Sequence, residues 1–358
     1  MPTSSIDTFF ACSLMVVLIV SAMVGTSKVV QPYVNDLSNM NGSGCLKGLA
    51  EYLLLSTGQP SDWGKMKGNI PTAFGLASET LQPYELDLDK VSRLNNDNVY
   101  SVSHQEILVA LGTKDMSLNI KIHSLFEVSI NLTSGQSEEN ETTYTFQIST
   151  SKSGYPLSAW LQCYAVVKTY VDNVSSSTAS DGTGFVNATL PNSLNGTALL
   201  IVFAKSKSYS QMVALNVYSF GHNSETPEPN KTFLQLSPLN NVLNVSFQYP
   251  TVEVSNTYVF TCNHHFNLSQ TATGNQTVEY GITRLLEASP MILVVNGKNV
   301  STSFAEWTGY PQLPLEISAD FKDLTTISKV VALTYIVSIN SVLYESIITC
   351  RSVQNLYA

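Results

Sequence analysis

Apolar positions follow three different patterns along the chain. In the first there is no period: Thr8 to Ser27 are twenty uncharged residues between Asp7 and Lys28, and they hold the run FFACSLMVVLIVSAMV. At ~1.5 Å per residue the stretch makes a helix about 30 Å long, the thickness of a bilayer's hydrocarbon core. The preceding MPTSSID has no basic residue and carries an acid, unlike the start of a secretory signal. Ser21-Ala22-Met23 and Gly25-Thr26-Ser27 offer small residues for cleavage, but the length favours a retained anchor over residues 1–30. Residues 31–118 then show helical spacing in pieces. Leu46 to Leu55 reads as a short amphipathic helix, Ser61 or Asp62 as a turn or cap, and Asp87 or Asp89 as the start of another helical turn. Ser103 is placed to cap His104–Leu111, which Gly112 ends.

From Ser117 the period changes to two. Leu118, Ile120 and Ile122 alternate with polar residues, and Phe126, Val128 and Ile130 follow. YTFQIST, AWLQCYAVVKT, FVNATL and ALLIVFAKS read as strands separated by turn-rich segments, which predicts a β-sandwich over 119–222. The Pro- and Glu-containing stretch GHNSETPEPNKT (Gly221–Thr232) reads as an exposed linker. Beyond it VLNVSFQY, YVFTCNHHF, QTVEYGI, MILVVNG, LPLEISADF, SKVVALTYIVSI and SVLYESIITC predict a second sandwich over 233–358. No internal repeat joins the two regions. The predicted fold is mainly β: an N-terminal transmembrane helix, a small α/β membrane-proximal region and two tandem Ig-like β-sandwiches.

Three segments resemble known families. SSIDTFFACSLMVVLIVSAMV resembles the N-terminal helix of archaeal type IV pilin-like surface proteins, which carry an acid where Asp7 stands. The resemblance implies a helix-packing contact for Asp7 with a neighbouring subunit's amino terminus if the mature chain begins at Thr3. Only Met1-Pro2 stands where a basic leader is expected. YLLLSTGQPSDWG with FGLA and LDLDKVSRL resembles a membrane-proximal module of archaeal secreted proteins, to which no chemistry attaches. SGYPLSA, SDGTGFVNATLP and ALLIVFA resemble the Ig-like, transthyretin-like modules of cell-surface proteins. That likeness implies a hairpin at Gly154 and Pro156 and a tight turn at Asp181, Gly182 and Gly184, hence a scaffold and no particular activity.

Composition points the bulk of the chain outward. Only 13% of residues are charged and the formal net charge is -9, with no basic stripe, so nucleic acid is excluded as a partner. Asn-x-Ser/Thr occurs at Asn41, Asn131, Asn140, Asn173, Asn187, Asn195, Asn230, Asn244, Asn267, Asn275 and Asn299. After residue 130, ten of 20 asparagines open such a sequon, where chance gives about five. This excess marks glycosylation candidates on an extracellular face and outweighs Lys28, which alone opposes the positive-inside tendency. Cys12 lies in the apolar run, which leaves Cys45, Cys163, Cys262 and Cys350 as disulfide candidates with three pairings. Cys262 with Cys350 is favoured, both falling in the last β-rich region.

Candidate chemistry is sparse. Cys262-Asn263-His264-His265 places adjacent histidines on opposite faces of a strand, so they do not share a metal. His104, His123 and His222 are isolated. Asp87 with Asp89, and Glu138, Glu139 and Glu141, lack the spacing of a calcium loop and read as solvated acidic faces. No catalytic, cofactor or metal residues are assigned. Trp160, Trp307 and Tyr310 are candidate binding aromatics, Trp307 and Tyr310 for the second sandwich; the bland alternative is edge packing, and Trp63 is expected to pack on the helices. The expected protein is a non-enzymatic, single-pass cell-surface glycoprotein of structural or adhesive role, whose partners are the membrane through its helix and itself or other surface proteins. The alternatives are a carbohydrate- or peptide-binding surface module or a pilin-like filament subunit.

Overall fold

The computed structural model describes Met15 and residues 42–80, 82–113, 116–224, 226–284, 287–318 and 330–352. The expected anchor (Met15 apart), Asp7, Cys12, Asn41 and the side chain of Cys45 lie outside the described residues. Among those described, no helix is long and apolar enough to cross a membrane.

The elements fall into four runs along the chain. First come α1 (Gly42–Leu55), a 3₁₀ turn (Trp63–Lys65), α2 (Leu88–Ser92), α3 (His104–Ala110) and β1 (Met116–Ser124). The second run is β2 (Glu127–Ser137), β3 (Glu141–Lys152), β4 (Tyr155–Pro156), β5 (Ala159–Val167), β6 (Tyr170–Ser177), β7 (Thr183–Pro191), β8 (Gly196–Ser206) and β9 (Val213–His222). The third is β10 (Leu234–Leu239), β11 (Val242–Phe247), β12 (Val252–Phe260), β13 (His265–Asn267), β14 (Ser269–Gly274), β15 (Thr277–Gly281), β16 (Met291–Asn299) and β17 (Thr302–Tyr310). Last are β18 (Leu315–Ser318), β19 (Val330–Ile339) and β20 (Val342–Ser352). Local signals set the helix starts. Asp87 accepts from the backbone N–H of Asp89 and Lys90 to cap α2, and Ser103 forms a capping box with Glu106 at α3.

The first and last runs combine into one α/β base. Its antiparallel sheet has the order β18-β1-β20-β19, with Leu118 opposite Cys350 and Ile120 opposite Ile348. Leu118, Ile120, Ile122, Val342, Tyr344 and Ile348 form one apolar face, which the helical region covers with Leu53, Leu54, Trp63, Val91 and Ile107. The other face carries Lys121 with Glu316 and His123 with Glu345, each pair 3.8 Å apart. The expected boundaries are corrected here. Residues 119–124 leave the first sandwich for the base, and β18, β19 and β20 belong to the base, not to a second sandwich running to 358. Period-two alternation looks the same whichever apolar layer covers the strand, so the local pattern did not separate these cases.

The two middle runs are β-sandwiches with the same strand order. In the first, β2-β3-β7, with the two-residue β4 against the end of β3, faces β6-β5-β8-β9; in the second, β10-β11-β15 faces β13-β12-β16-β17 in the same order, with β14 added beyond β15. Each has one interior, built on Phe146, Ile148, Leu161 and Val202 in the first and on Leu243, Val245, Leu293 and Phe304 in the second. A third core lies between them. Tyr164, Leu199, Ile201 and Phe203 on the outer face of β5 and β8 pack against Tyr258, Phe260, Ile292 and Val294 on β12 and β16. Two inner sheets are therefore buried on both faces. This is why ALLIVFA and MILVVN read as continuous apolar runs where a half-exposed strand alternates.

Candidate functional site

Helix α2 and its C-cap carry three buried charges: Lys90 and Arg93 brace the base, and Asp89 ties it to the second sandwich. Lys90 is fully buried and its Nζ donates to the carbonyls of Thr57 (2.9 Å) and Ala77 (2.8 Å). Arg93 donates through Nε to Tyr100 O (2.8 Å), through Nη2 to Asn69 O (2.7 Å) and through Nη1 to Trp63 O. Its guanidinium also lies 5.4 Å from the Trp63 ring, whose Nε1 donates to Gly75 O. Asp89 Oδ1 accepts from the Tyr310 hydroxyl (2.6 Å) and the Asn240 backbone N–H (2.8 Å) of the second sandwich. Burial holds the Asp89 carboxyl above, and the Lys90 ammonium and Arg93 guanidinium below, their ordinary values. The expected solvated acidic face at Asp87 and Asp89 is thus corrected: one residue caps a helix and the other is an interior contact.

A cleft of about 230 Å³ opens beside this junction, lined by Asn96, Asp97, Lys231, Leu234, Gln235, Leu236, Gln248, Trp307 and Thr308. Its walls are fixed by hydrogen bonds that tie the linker to β17. The Asn230 amide donates to Trp307 O (2.9 Å) and accepts from Trp307 N (2.9 Å), the two bonds a paired strand would make. Buried Glu306 accepts from the backbone N–H of Phe233 (2.7 Å) and Leu234 (2.9 Å). Burial raises its carboxyl's pKa and those N–H groups oppose the rise. Lys231 pairs with Asp97 across the mouth, and Gln235 Nε2 donates to Asp97 O (3.1 Å). The lining combines one indole, two glutamines, an ion pair and a hydroxyl, which suits a small, hydroxyl-rich group. Its volume is below the ~300–1,000 Å³ usual for drug-sized ligands.

Only one of the two aromatics expected to bind together reaches this cleft. Tyr310 is 1% exposed and spends its hydroxyl on Asp89. Successive strand residues face opposite ways, so positions 307 and 310 on β17 point to different sides. That parity was present in the sequence. The cleft residues missed by sequence reasoning, Asp97, Lys231, Gln235 and Gln248, come from three separate segments and carry no local signal. Trp160 stands well apart, at the start of β5, and Trp63 packs on the helices as expected.

The remaining candidates scatter. Asn131, Asn140, Asn173, Asn187, Asn195, Asn267 and Asn275 are exposed, while Asn230 and Asn299 are half-buried. Asn244 is 8% exposed, because its β10 neighbour Ser237 accepts from Val99 N and this stretch of sheet lies under the base; as a glycan acceptor it is corrected. Cys163 and Cys262 are free thiols. Cys163 faces the first sandwich's interior, where burial pushes its thiol up to about 12. The favoured Cys262–Cys350 bridge is not formed: Cys262 packs against the base core that holds Cys350 but is a free thiol, following β12 with its N–H on Ser289 Oγ. His264 and His265 are both exposed, with His265 stacked on Phe260. His222 is buried against the Tyr144 hydroxyl (2.9 Å), and His104 meets Leu118 O (2.9 Å). Among the described residues no cluster of His, Cys, Asp and Glu is arranged to hold a metal ion.

No known protein family and no curated protein matches the chain. Among solved structures it is similar to HBP35 of Porphyromonas gingivalis, with 14% identity and a TM-score of 0.19 over 51% of this chain and 63% of that one. It is also similar to red sea bream transglutaminase, with 10% identity and a TM-score of 0.21 over 59% of this chain and 34% of the enzyme. The chain spans less than two thirds of either protein, and superpositions this loose transfer neither fold nor function.

Proposed function

We propose that the chain is a non-enzymatic cell-surface glycoprotein, held by its N-terminal apolar segment and serving a structural or adhesive role. The observation that carries this reading is where the sequons fall. Seven of the ten described sequon asparagines are exposed, on edge strands or turns, whereas the central strands of the two inner sheets carry the apolar core between them. A three-core stack joined to a base gives a stiff body suited to display or spacing. Pilin-like packing of the apolar segment through Asp7, and an archaeal source, extend the same reading. A second reading, a module capturing a small carbohydrate or peptide group, is favoured by the cleft at Trp307.

The test is mass spectrometry of the mature protein taken from its native membranes. The expected result is an N-terminal peptide that retains residues 8–27, with sugar on several exposed sequons and none on Asn244. A cytosolic chain with every sequon bare would sink the proposal.

A further inference from the structure

Three loops meet at one pole of the first sandwich: KSGYPLS (152–158), SSSTASDGTG (175–184) and KSKSYSQ (205–211). Strand register brings them together, since Trp160 lies opposite both Ser177 and Lys205, and Thr150 N donates to Gly182 O (2.8 Å). The three most exposed aromatic side chains among the described residues all belong to this pole: Tyr155 at 76%, Tyr209 at 67% and Trp160 at 60%. Lys152, Lys205 and Lys207 stand beside them, all exposed. The acidic side chains Glu127 and Asp181 lie at the same end, leaving a small positive excess in a chain of 18 basic against 27 acidic residues.

The surface is held before any partner arrives. Ser153 and Gly154 both have positive φ (50° and 81°), as a two-residue hairpin turn requires. Thr178 is fully buried, its hydroxyl 2.9 Å from that of Thr150 and accepting from Ala159 N (2.8 Å). Lys207 ties the loops through Nζ to Thr178 O (3.0 Å), with its ammonium 4.7 Å from the Trp160 ring centre. Exposed Tyr and Trp among Ser and Gly on fixed loops is the composition of a recognition surface. None of the three loops contains a sequon, whereas Asn140 and Asn195 lie at the opposite pole.

We propose that this pole binds an acidic polysaccharide, a chain of pyranose rings bearing carboxylate or sulfate groups. Flat indole and phenol faces suit the C–H faces of sugar rings, loop hydroxyls suit their hydroxyls, and the lysines suit the anionic groups. An acidic peptide is the weaker fit. The β4 edge here is two residues long and ends in Pro156, which donates no hydrogen bond, so the pole offers little edge for an added strand. The proposal does not depend on how the chain is anchored.

The test measures retention of the purified full chain on polygalacturonate, dextran sulfate, neutral dextran and poly-L-glutamate. Binding to one or both acidic polysaccharides is expected, which separates carboxylate from sulfate, with none to dextran and at least ten-fold less to poly-L-glutamate. Trp160→Ala should weaken retention about ten-fold with an unchanged melting curve, and Tyr155→Ala supplies the same readout if that variant fails to fold. Lys207→Gln should weaken it several-fold and flatten its salt dependence. No retention on either acidic polysaccharide, equal retention on poly-L-glutamate, or indifference to loss of the rings overturns the proposal.

Discussion

The two sandwiches share a strand order yet are held in place differently. Each contributes its four-stranded inner sheet to the common core around Ile201 and Ile292. Beyond that, the second is keyed into the base by polar contacts, with Tyr310 and Asn240 on Asp89, Asn98 Nδ2 on Pro238 O (3.1 Å) and Val99 N on Ser237 (3.0 Å). The first meets the base more lightly, through Val213 in the base core and the bond from Leu343 N to Gln211 O (2.9 Å). One topology thus supplies a locked layer and a layer tied down at few points, whose pole keeps its aromatic side chains exposed. The order of strands fixes the scaffold, and the loops decide what each copy does with it.

Three substitutions probe that contrast, beginning with the most damaging. Ile201→Asp places an unpaired charge in the core shared by both sandwiches and should cost more than about 4 kcal/mol in denaturant unfolding of the full chain. An unchanged midpoint would mean that the sandwiches stand independently. Arg93→Ala removes the donors that hold three loop carbonyls of the base, for a loss of about 3–5 kcal/mol. Hydrogen exchange should then rise in β10 and β11 before β2 and β3; uniform exposure would erase the difference between the two sandwiches.

Asp89→Asn is the mildest and acts through pH. Burial raises the Asp89 carboxyl in the folded protein, so ionising it costs the fold. That cost is absent below the unfolded carboxyl's pKa and is fully felt once pH has risen past the folded value. Asparagine keeps an oxygen for Tyr310 and Asn240, so the variant should match the wild type in acid and be the more stable at neutral pH. Greater loss at neutral than at acid pH would show that the charge itself stabilises the junction.

Much of the architecture was legible because it is local. Ser103 announced its helix, Asp87 was one of two candidate starts for another, and the turns at Gly154 and Asp181-Gly182 fall where the sequence put them. The missed strand β6, YVDNVSSS, is an edge strand without buried alternation, so it reads as loop. The base was hidden for a different reason: nothing in LTYIVSI or LYESIITC says which earlier strand it will pair with. The cleft was half legible. Trp307 was found, Tyr310 should have been rejected by parity, and Asp97 and Lys231 are brought together only by the completed fold.

The pairing of β1 with β20 also sets a timetable. Each sandwich is continuous in sequence and can close as soon as its own strands exist. β1 must wait for a partner made roughly two hundred residues later, on the order of ten to forty seconds at ~5–20 residues per second. Throughout that interval the backbone edges of β1 that β18 and β20 later pair stay open, although the earlier helices can already cover Leu118, Ile120 and Ile122, and this is the moment at which the nascent chain most needs protection from its neighbours.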